Sequence, residues 1–246
     1  MIIKTMDGNE ACAHSAYIFS DIAGIYPITP SSTMAEYVDE WSSKGLKNIY
    51  GQTVKVVEMQ SEAGAVATVH GALQSGILAS TFTASQGLLL MIPTLYKLSG
   101  EMLPGVIHVA ARSLSTHSLS IFGDHQDIYS VRSTGVCMLS SSSVEEAYHM
   151  AMIAHLSSIK ASLPFVNFFD GFRTSHEIDK VKEVDLSRLE PLIDKKALRN
   201  FRERALNNEN PNERGTAEND DIYFQNTEVR NKYYEDAVDI TIDYMK

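Results

Sequence analysis

The chain has 246 residues, of which 44% are hydrophobic, and its formal net charge at pH 7 is -10. This length allows one large hydrophobic core, or one core with a small appendage. The acidic surplus argues against nucleic-acid binding, because no basic stripe would meet the phosphate backbone. The longest apolar run, LLLMIP at 88–93, is far shorter than the roughly 20 residues of a membrane-spanning helix. Since the first ten residues lack a signal-peptide pattern, the sequence predicts a cytoplasmic protein without membrane contact.

Strand-length apolar runs alternate with helix-period stretches up to about residue 170. This alternation is typical of an α/β fold in which helices cover both faces of a parallel sheet. The predicted strands are 24–28, 54–57, 77–83, 106–110, 135–139 and 165–169, and the run at 54–57 is expected to be buried. The predicted helices are 10–22, 33–44 with a capping box at Thr33 and Glu36, 62–74, 86–99 with a break at Pro93, and 143–160 with a capping box at Ser143 and Glu146.

The composition changes after Phe169. Residues 179–194 are charged, 195–206 are predicted to be helical, and 207–221 are polar and rich in turn formers. A final amphipathic stretch at 233–244 needs a surface to pack on. We therefore predict an α/β domain over residues 1–178 and a helical or linker extension over 179–246 that wraps it.

In an open parallel sheet, ligands bind outside the carboxyl ends of the strands. Four loops there contain reactive or polar side chains, and we expect them to converge on one rim: 26–32, 58–62, 83–87 and 111–127.

Glu62 is the first candidate site residue. Ser61 is a plausible N-cap, so the carboxylate lies where backbone N–H groups and the helix dipole favour negative charge. Small residues at 63–67 leave little side-chain bulk around it, which suggests that something else fills the space. The plainer interpretation is that an acid in a first helical turn serves only as a partner of the dipole.

Thr29 and Arg112 are the next candidates. Thr29 stands between two residues that resist helix formation, and its hydroxyl is available for a hydrogen bond. Arg112 follows an apolar strand and is placed to offer its guanidinium fork to a carboxylate. Turn chemistry for Thr29 and a solvated charge for Arg112 are the alternatives.

The loop at 113–127 contains Ser, His and Asp residues, but it lacks the GxSxG elbow of a hydrolase. Metal ligation by His117, Asp124, His125 and Asp127 has no supporting spacing, so a loop held by hydrogen bonds is favoured and no metal site is predicted. The two cysteines, Cys12 and Cys137, are far apart and cannot build an iron-sulfur cluster by themselves. The string FFDGFRTSHE at 168–177 is a candidate inter-domain surface.

Six strings in this order resemble one family, the pyruvate:ferredoxin (flavodoxin) oxidoreductases, in their N-terminal, thiamine pyrimidine-binding domain. They are YPITPSS at 26–32, EMQSEAGA at 58–65, TFTASQGLLLMIP at 81–93, ARSLSTHSLSIFGDHQD at 111–127, FFDGFRTSHE at 168–177 and RGTAENDDIYFQ at 214–225. The resemblance covers essentially the whole chain. It implies the thiamine diphosphate-binding fold and oxidative decarboxylation of pyruvate with coenzyme A to acetyl-CoA and carbon dioxide, with electrons passed through iron-sulfur clusters to ferredoxin or flavodoxin.

The resemblance also implies roles for particular residues. Glu62 matches the glutamate that hydrogen-bonds the aminopyrimidine ring, with Pro27 and Ile28 as further cofactor contacts. Arg112 matches the anchor of the pyruvate carboxylate, and Thr29 its hydroxyl partner on the same substrate.

The sequence departs from the complete family pattern in two respects, because it lacks both the cysteine clusters for iron-sulfur centres and one motif of the cofactor site. A thiamine diphosphate site needs a GDG motif and a later Asn for Mg²⁺ and the diphosphate, whereas this chain has Gly123-Asp124-His125. The resemblance therefore implies half an active site, with Mg²⁺, the diphosphate and the iron-sulfur clusters held by remaining domains or subunits of a homodimeric enzyme. Two alternatives stay open: a subunit acting on another 2-oxo acid, such as 2-oxoglutarate, and a catalytically silent protein that binds a partner.

Overall fold

The centre of the fold is a six-stranded parallel β-sheet. The computed structural model describes residues 2–209, 211 and 215–246. The strands are β2 (Ile22–Ile25), β3 (Lys55–Glu58), β4 (Ala79–Thr83), β5 (Val106–Ala111), β6 (Cys137–Ser141) and β7 (Phe165–Asp170). Their order is β3-β2-β4-β5-β7-β6, and all neighbours run parallel. The predicted strands are thus confirmed, with ends displaced by a few residues.

The burial predicted for residues 54–57 is wrong. The strand begins at Lys55 and forms one edge of the sheet, pairing with β2 alone. Its residues are exposed or half-buried because an edge strand has a neighbour on one side only. Val54, just before the strand, is the buried residue of the run.

The helices are α1 (Gly8–Phe19), α2 (Ser32–Ser43), α3 (Glu62–Gln74), α4 (Gln86–Leu90), α5 (Ile92–Gly100), α6 (Gln126–Val131), α7 (Val144–Ala161), α8 (Leu186–Leu189), α9 (Lys195–Glu203), α10 (Asp220–Val229) and α11 (Asn231–Met245). They cover both faces of the sheet, as side chains of β5 demonstrate. Ile107 belongs to a cluster with Val69 of α3, whereas Ala110 belongs to another with Ala13 of α1. Since positions three apart on a strand face opposite sides, Ile107 and Ala110 point to opposite faces of the sheet.

A small antiparallel sheet joins two distant parts of the chain. Strand β1 (Ile3–Asp7) pairs with β8 (Ile178–Lys182), and the sequence predicted neither strand. Asp7 then caps α1 by accepting the Glu10 N–H at 2.7 Å, so the helix begins at Gly8 rather than at Glu10. It ends at Phe19, before the predicted end at 22.

One predicted capping box is wrong and the other is present. Helix α2 begins at Ser32, and the Thr33 hydroxyl accepts a hydrogen bond from the side-chain nitrogen of Asn9 at 2.7 Å instead of capping the helix. A tertiary contact has replaced the local one. At α7, the Ser143 hydroxyl accepts the Glu146 N–H at 3.2 Å, as predicted.

The segment around Pro93 forms two helices. Helix α4 ends at Leu90 and α5 begins at Ile92, so the break predicted at Pro93 is confirmed two residues earlier. Proline has no N–H to continue the hydrogen-bond ladder, and its ring opposes the preceding turn.

The C-terminal part is largely helical. The predicted helix at 195–206 is the shorter α9, and the amphipathic stretch at 233–244 lies in α11, whose Ala237 packs in a cluster with Ala154 of α7. Helix α10 was not predicted, and it occupies the end of the predicted turn-rich stretch; Asn210 and 212–214 of that stretch lie outside the described residues. The division at residue 178 stays a prediction. In the parts of the chain that the structure describes, no helix has both the length and the apolarity to cross a membrane.

Candidate functional site

The loops that follow β2, β4 and β5 contact one another at the carboxyl edge of the sheet. The Arg112 side chain donates from Nη1 to the Thr29 carbonyl oxygen at 2.6 Å. The Ser85 hydroxyl donates to the Ser113 carbonyl oxygen at 2.8 Å. The predicted convergence of these loops is therefore confirmed, because parallel strands deliver their ends to one edge.

Glu62 is the first residue of α3 and is only 7% exposed. The Ser61 hydroxyl accepts the Gly64 N–H at 3.2 Å, so the predicted N-cap is confirmed. The carboxylate thus lies beside the free N–H groups of the first turn, where the helix dipole favours its negative charge.

Gly87 of α4 lies close to Glu62 and Thr83. A Cβ atom at position 87 would lie 2.8 Å from Glu62 Oε1 and 2.5 Å from Thr83 Oγ1. Both distances are far below van der Waals contact, so any larger residue would push the carboxylate or the hydroxyl aside. Neither Gly87 nor Thr83 was predicted as a site residue, although both belong to the TFTASQG string.

Glycines allow close packing around the start of α3. A Cβ atom at Gly24 of β2 would lie 2.6 Å from the Ala65 carbonyl oxygen, and one at Gly64 would lie 3.2 Å from the Met59 side chain. The glycine at position 24 thus allows α3 to lie close to β2. The predicted room for a ligand beside Glu62 stays a prediction.

Thr83 has a buried polar atom beside Gly87. The residue is fully buried at the end of β4, and its hydroxyl has no hydrogen-bond partner within the described ranges. An unpaired buried hydroxyl is costly, so the group is suited to a partner that arrives from outside the chain.

Arg112 is buried although its charge is only partly paired. It is 5% exposed, and its Nε–H finds no acceptor among the residues that the structure describes. Burial lowers the pKa of Arg112, and the negative charge of Asp127 acts in the opposite direction. A guanidinium with an unused donor is suited to an anionic ligand.

The loop that precedes α2 contains the other predicted site residues. Thr29 is exposed, and its carbonyl group rather than its hydroxyl contacts Arg112. Pro27 is exposed and Ile28 is half-buried. The Ile28 carbonyl accepts both the N–H and the hydroxyl of Ser31, at 2.8 and 2.7 Å, which holds this loop in one conformation.

Asp127 connects two of the loops. Its carboxylate is fully buried and accepts the backbone N–H groups of Ser85 at 2.7 Å, Arg112 at 3.0 Å and Ile128 at 2.8 Å. Burial raises the pKa of Asp127, and these three hydrogen bonds oppose that rise. The prediction of a loop held by hydrogen bonds is confirmed, whereas the central position of Asp127 in it was not predicted.

The string at 168–177 packs against the same loops. A Cβ atom at Gly171 would lie 2.6 Å from both the Ala111 carbonyl oxygen and Pro30 Cγ. His125 Nε2 lies 2.8 Å from Asp170 Oδ1, in a half-exposed pair. The role of the 168–177 string in an inter-domain surface stays a prediction.

Within the described residues, no group of three or more His, Cys, Asp or Glu side chains is arranged to hold a metal ion.

Comparison with known proteins points to one family. A family model described as "Pyruvate flavodoxin/ferredoxin oxidoreductase, thiamine diP-bdg" matches residues 14–246. The pyruvate:ferredoxin oxidoreductase of Moorella thermoacetica is 60% identical over 231 residues, which cover 94% of this chain and 20% of that protein. The pyruvate-flavodoxin oxidoreductase of Enterobacter agglomerans is 57% identical, with 99% of this chain and 21% of that protein covered.

A third relative differs from these two in its name. The mitochondrial pyruvate dehydrogenase [NADP(+)] of Euglena gracilis is 52% identical, with 98% of this chain and 13% of that protein covered. The chain thus spans about a fifth of the length of the curated relatives, or less.

A solved structure shares the fold. The 2-oxoglutarate:ferredoxin oxidoreductase from Magnetococcus marinus, with 2-oxoglutarate, coenzyme A and succinyl-CoA bound, aligns with a TM-score of 0.67 at 21% identity. The alignment covers 76% of this chain and 32% of that one. At this identity the likeness shows the architecture alone.

Proposed function

Because the chain belongs to the pyruvate flavodoxin/ferredoxin oxidoreductase family, in its thiamine diphosphate-binding part, we propose that it provides the aminopyrimidine and substrate-carboxylate half of the active site of such an enzyme. The reaction is the oxidative decarboxylation of pyruvate with coenzyme A to acetyl-CoA and carbon dioxide, with electrons passed to ferredoxin or flavodoxin.

The observation that best supports this proposal is the buried carboxylate of Glu62 at the start of α3, in a region that also holds the unpaired Thr83 hydroxyl. A planar ring with a basic nitrogen is a suitable ligand, because Glu62 can share a proton with the nitrogen while the Thr83 hydroxyl offers a second polar contact. Thiamine diphosphate, when bound, supplies an acidic carbon that adds to the carbonyl group of a 2-oxo acid and accepts the electrons left by loss of carbon dioxide. Glu62 acts by holding a proton at its carboxylate oxygen.

Arg112 binds and orients the substrate carboxylate in this proposal. A buried guanidinium with an unused Nε–H gains more from a carboxylate partner than an exposed arginine would. The exposed Thr29 hydroxyl, at a residue whose carbonyl already contacts Arg112, supplies a second contact to the same substrate. Pro27 and Ile28 are proposed to contact the cofactor from the same loop.

Other functions of the enzyme are proposed to lie outside this chain. Mg²⁺, the diphosphate and the iron-sulfur clusters belong to remaining domains or subunits of a homodimer. The site that binds the electron acceptor is also proposed to lie outside this chain, since relatives named for ferredoxin, flavodoxin and NADP(+) share this segment at 52–60% identity. A cytoplasmic location stays a prediction, and one relative is named as mitochondrial.

The alternative functions have weaker support. A different 2-oxo acid is favoured only by the 2-oxoglutarate enzyme, at 21% identity, against 52–60% for the relatives named for pyruvate. A silent partner-binding protein has no chemical need for a buried carboxylate at Glu62 and a buried guanidinium with an unused Nε–H at Arg112.

The test is Glu62→Gln in the complete enzyme that contains this chain. Glutamine keeps the size of the side chain but cannot share the proton, so turnover should fall by at least about 10²-fold, within the usual range for positioned proton transfer. Pyruvate- and CoA-dependent reduction of ferredoxin or flavodoxin measures the effect. The control is Glu36→Gln, the same change at an exposed position of α2. Turnover near that of the control would remove Glu62 from the mechanism.

A further inference from the structure

We propose that Asp127 is a positioning residue, whose carboxylate holds Arg112 at a fixed place opposite the Glu62 and Gly87 side of the site. This inference rests on the proposed role of Arg112 as the anchor of the substrate carboxylate. The inference adds Asp127, a residue that supports the role of Arg112 without being part of the region beside Glu62.

The geometry places one oxygen atom between the two sides of the site. Asp127 Oδ2 accepts the N–H of Ser85, two residues past β4, and the N–H of Arg112, directly past β5. Its other oxygen, Oδ1, accepts the N–H of Ile128 and so fixes the carboxylate to the start of α6. Because the group is fully buried, water does not compete for these bonds.

Ser85 needs such a partner. Its backbone has φ 51° and ψ -129°, which non-glycine residues adopt at a cost. The turn that it begins delivers Gly87 to the side of Glu62. Without the carboxylate, the Ser85 backbone would shift towards a less strained conformation. The Gly87 side and the Arg112 side of the site would then no longer be held together.

Asp127 also supplies charge. Arg112 is buried and its guanidinium contacts an uncharged carbonyl, so a nearby negative charge helps to keep it charged before substrate arrives. Asp127 makes its hydrogen bonds to the backbone of Arg112, which leaves the guanidinium free for the substrate.

Substitutions at 127 separate this role from simple stabilisation of the fold. Asp127→Ala removes all three hydrogen bonds and the charge. Asp127→Asn keeps one oxygen for the N–H groups of Ser85 and Arg112, but its amide group opposes the Ile128 N–H. Each is made in the complete enzyme, alone and together with Arg112→Lys. Asp124→Asn is the matched control, since among the described residues that half-buried carboxylate accepts one hydrogen bond, from the Gln126 N–H at 2.8 Å, and none from Ser85 or Arg112.

We expect the pyruvate KM to rise about tenfold or more in Asp127→Ala and about threefold in Asp127→Asn, in keeping with the loss of charged and neutral hydrogen bonds. Each increase should shrink to less than about twofold in the Arg112→Lys background, because residues that act through each other are not additive. The control should keep the wild-type KM. If the alanine variant does not fold, the asparagine variant alone gives the same comparison.

Two results would overturn the proposal: an unchanged KM in the folded variants, or an increase of the same size in both backgrounds. A loss of thermal stability without a change in KM is the signature of a purely structural role. An unchanged KM in Arg112→Lys alone is a different outcome, because it contradicts the proposed function of Arg112.

Discussion

Strand β5 passes through two buried polar regions that differ in how their polar atoms are satisfied. His108, in the middle of the strand, lies 3.1 Å from Cys12 Sγ through Nδ1 and 3.1 Å from His155 Nε2 through its own Nε2, and Asn167 Nδ2 lies 3.3 Å from its Nδ1. At the end of the strand, the Nε–H of Arg112 has no partner in the described part of the chain.

The difference supports the proposed ligand site at the strand end. The group around His108 is closed, since α1, α7 and β7 supply partners from within the protein and only the Asn167 carbonyl oxygen lacks one among the described residues. The group at the strand end is open, with Thr83 and Arg112 both retaining unused hydrogen-bonding capacity. Buried polar groups are normally paired, so unpaired ones at an edge deserve a functional explanation.

Adding a side chain at Gly87 should have the largest effect. In Gly87→Ala, the added methyl group would meet Glu62 Oε1 and Thr83 Oγ1 at 2.8 and 2.5 Å, so the carboxylate or the hydroxyl must shift. We expect turnover of the complete enzyme to fall by about 10²-fold, the effect that a misplacement near 1 Å can have. The control is Gly71→Ala in α3, where an added Cβ meets nothing within 4 Å and should raise helix stability slightly. Equal turnover in the two variants would mean that the position of Glu62 beside Gly87 does not matter for the reaction.

Changing Arg112, whose guanidinium has an unpaired Nε–H, should have the next largest effect. Arg112→Lys keeps the charge but replaces a planar fork by a point charge. The pyruvate KM should rise by about tenfold to a hundredfold with a smaller change in kcat, matching the loss of a charged hydrogen bond. Steady-state kinetics of the complete enzyme measures it, with Arg199→Lys on α9 as the control. An unchanged KM would argue against direct contact with the substrate.

Changes in the closed group around His108 should affect the stability of the fold and its pH dependence rather than turnover. Burial lowers the pKa of His108 to about 3 and also lowers that of His155, whereas an unfolded histidine titrates near 6.5. Below pH 6.5 the unfolded chain binds protons that the folded chain does not. The unfolding free energy is therefore highest above about pH 6.5 and falls as the pH drops towards 4.

The variant His155→Leu tests this dependence. It removes one titrating group and leaves His108 Nε2 without its partner, so unfolding at pH 7 should cost about 1 to 3 kcal/mol less. Between pH 6.5 and 5 its stability should fall less steeply than that of the wild type. Chemical denaturation at several pH values measures both quantities, with His117→Asn on the exposed loop as the control. An unchanged pH slope would mean that His155 is protonated in the folded protein.

Much of this architecture follows from the sequence, because its signals are local or periodic. Alternating apolar runs predicted the parallel sheet, and the parallel sheet in turn placed Thr29, Glu62 and Arg112 at one edge. The Ser61 cap needed only its neighbours within one helical turn.

The missed features depend on contacts between distant residues. Strands β1 and β8 are mostly exposed and show no hydrophobic alternation, so their pairing leaves no periodic signal. Thr33 and Glu36 have the spacing of a capping box, but the Thr33 hydroxyl accepts a hydrogen bond from the Asn9 side chain instead. The close approach of Gly87 to Glu62 brings together residues from different helices, so no local pattern predicts it.

The smallest effect is expected when the open region is tested without the rest of the enzyme. Residues 1–246 offer Glu62, Thr83 and Arg112 to a ligand, but the sequence contains no GDG motif to hold Mg²⁺ and the diphosphate. The ring contacts alone must then offset the full entropic cost of immobilising a flexible, charged cofactor. Calorimetry of this chain with thiamine diphosphate and Mg²⁺ should detect no micromolar binding, and Glu62→Gln should not alter the result. Micromolar binding that Glu62→Gln abolishes would show instead that the open edge is a complete cofactor site by itself.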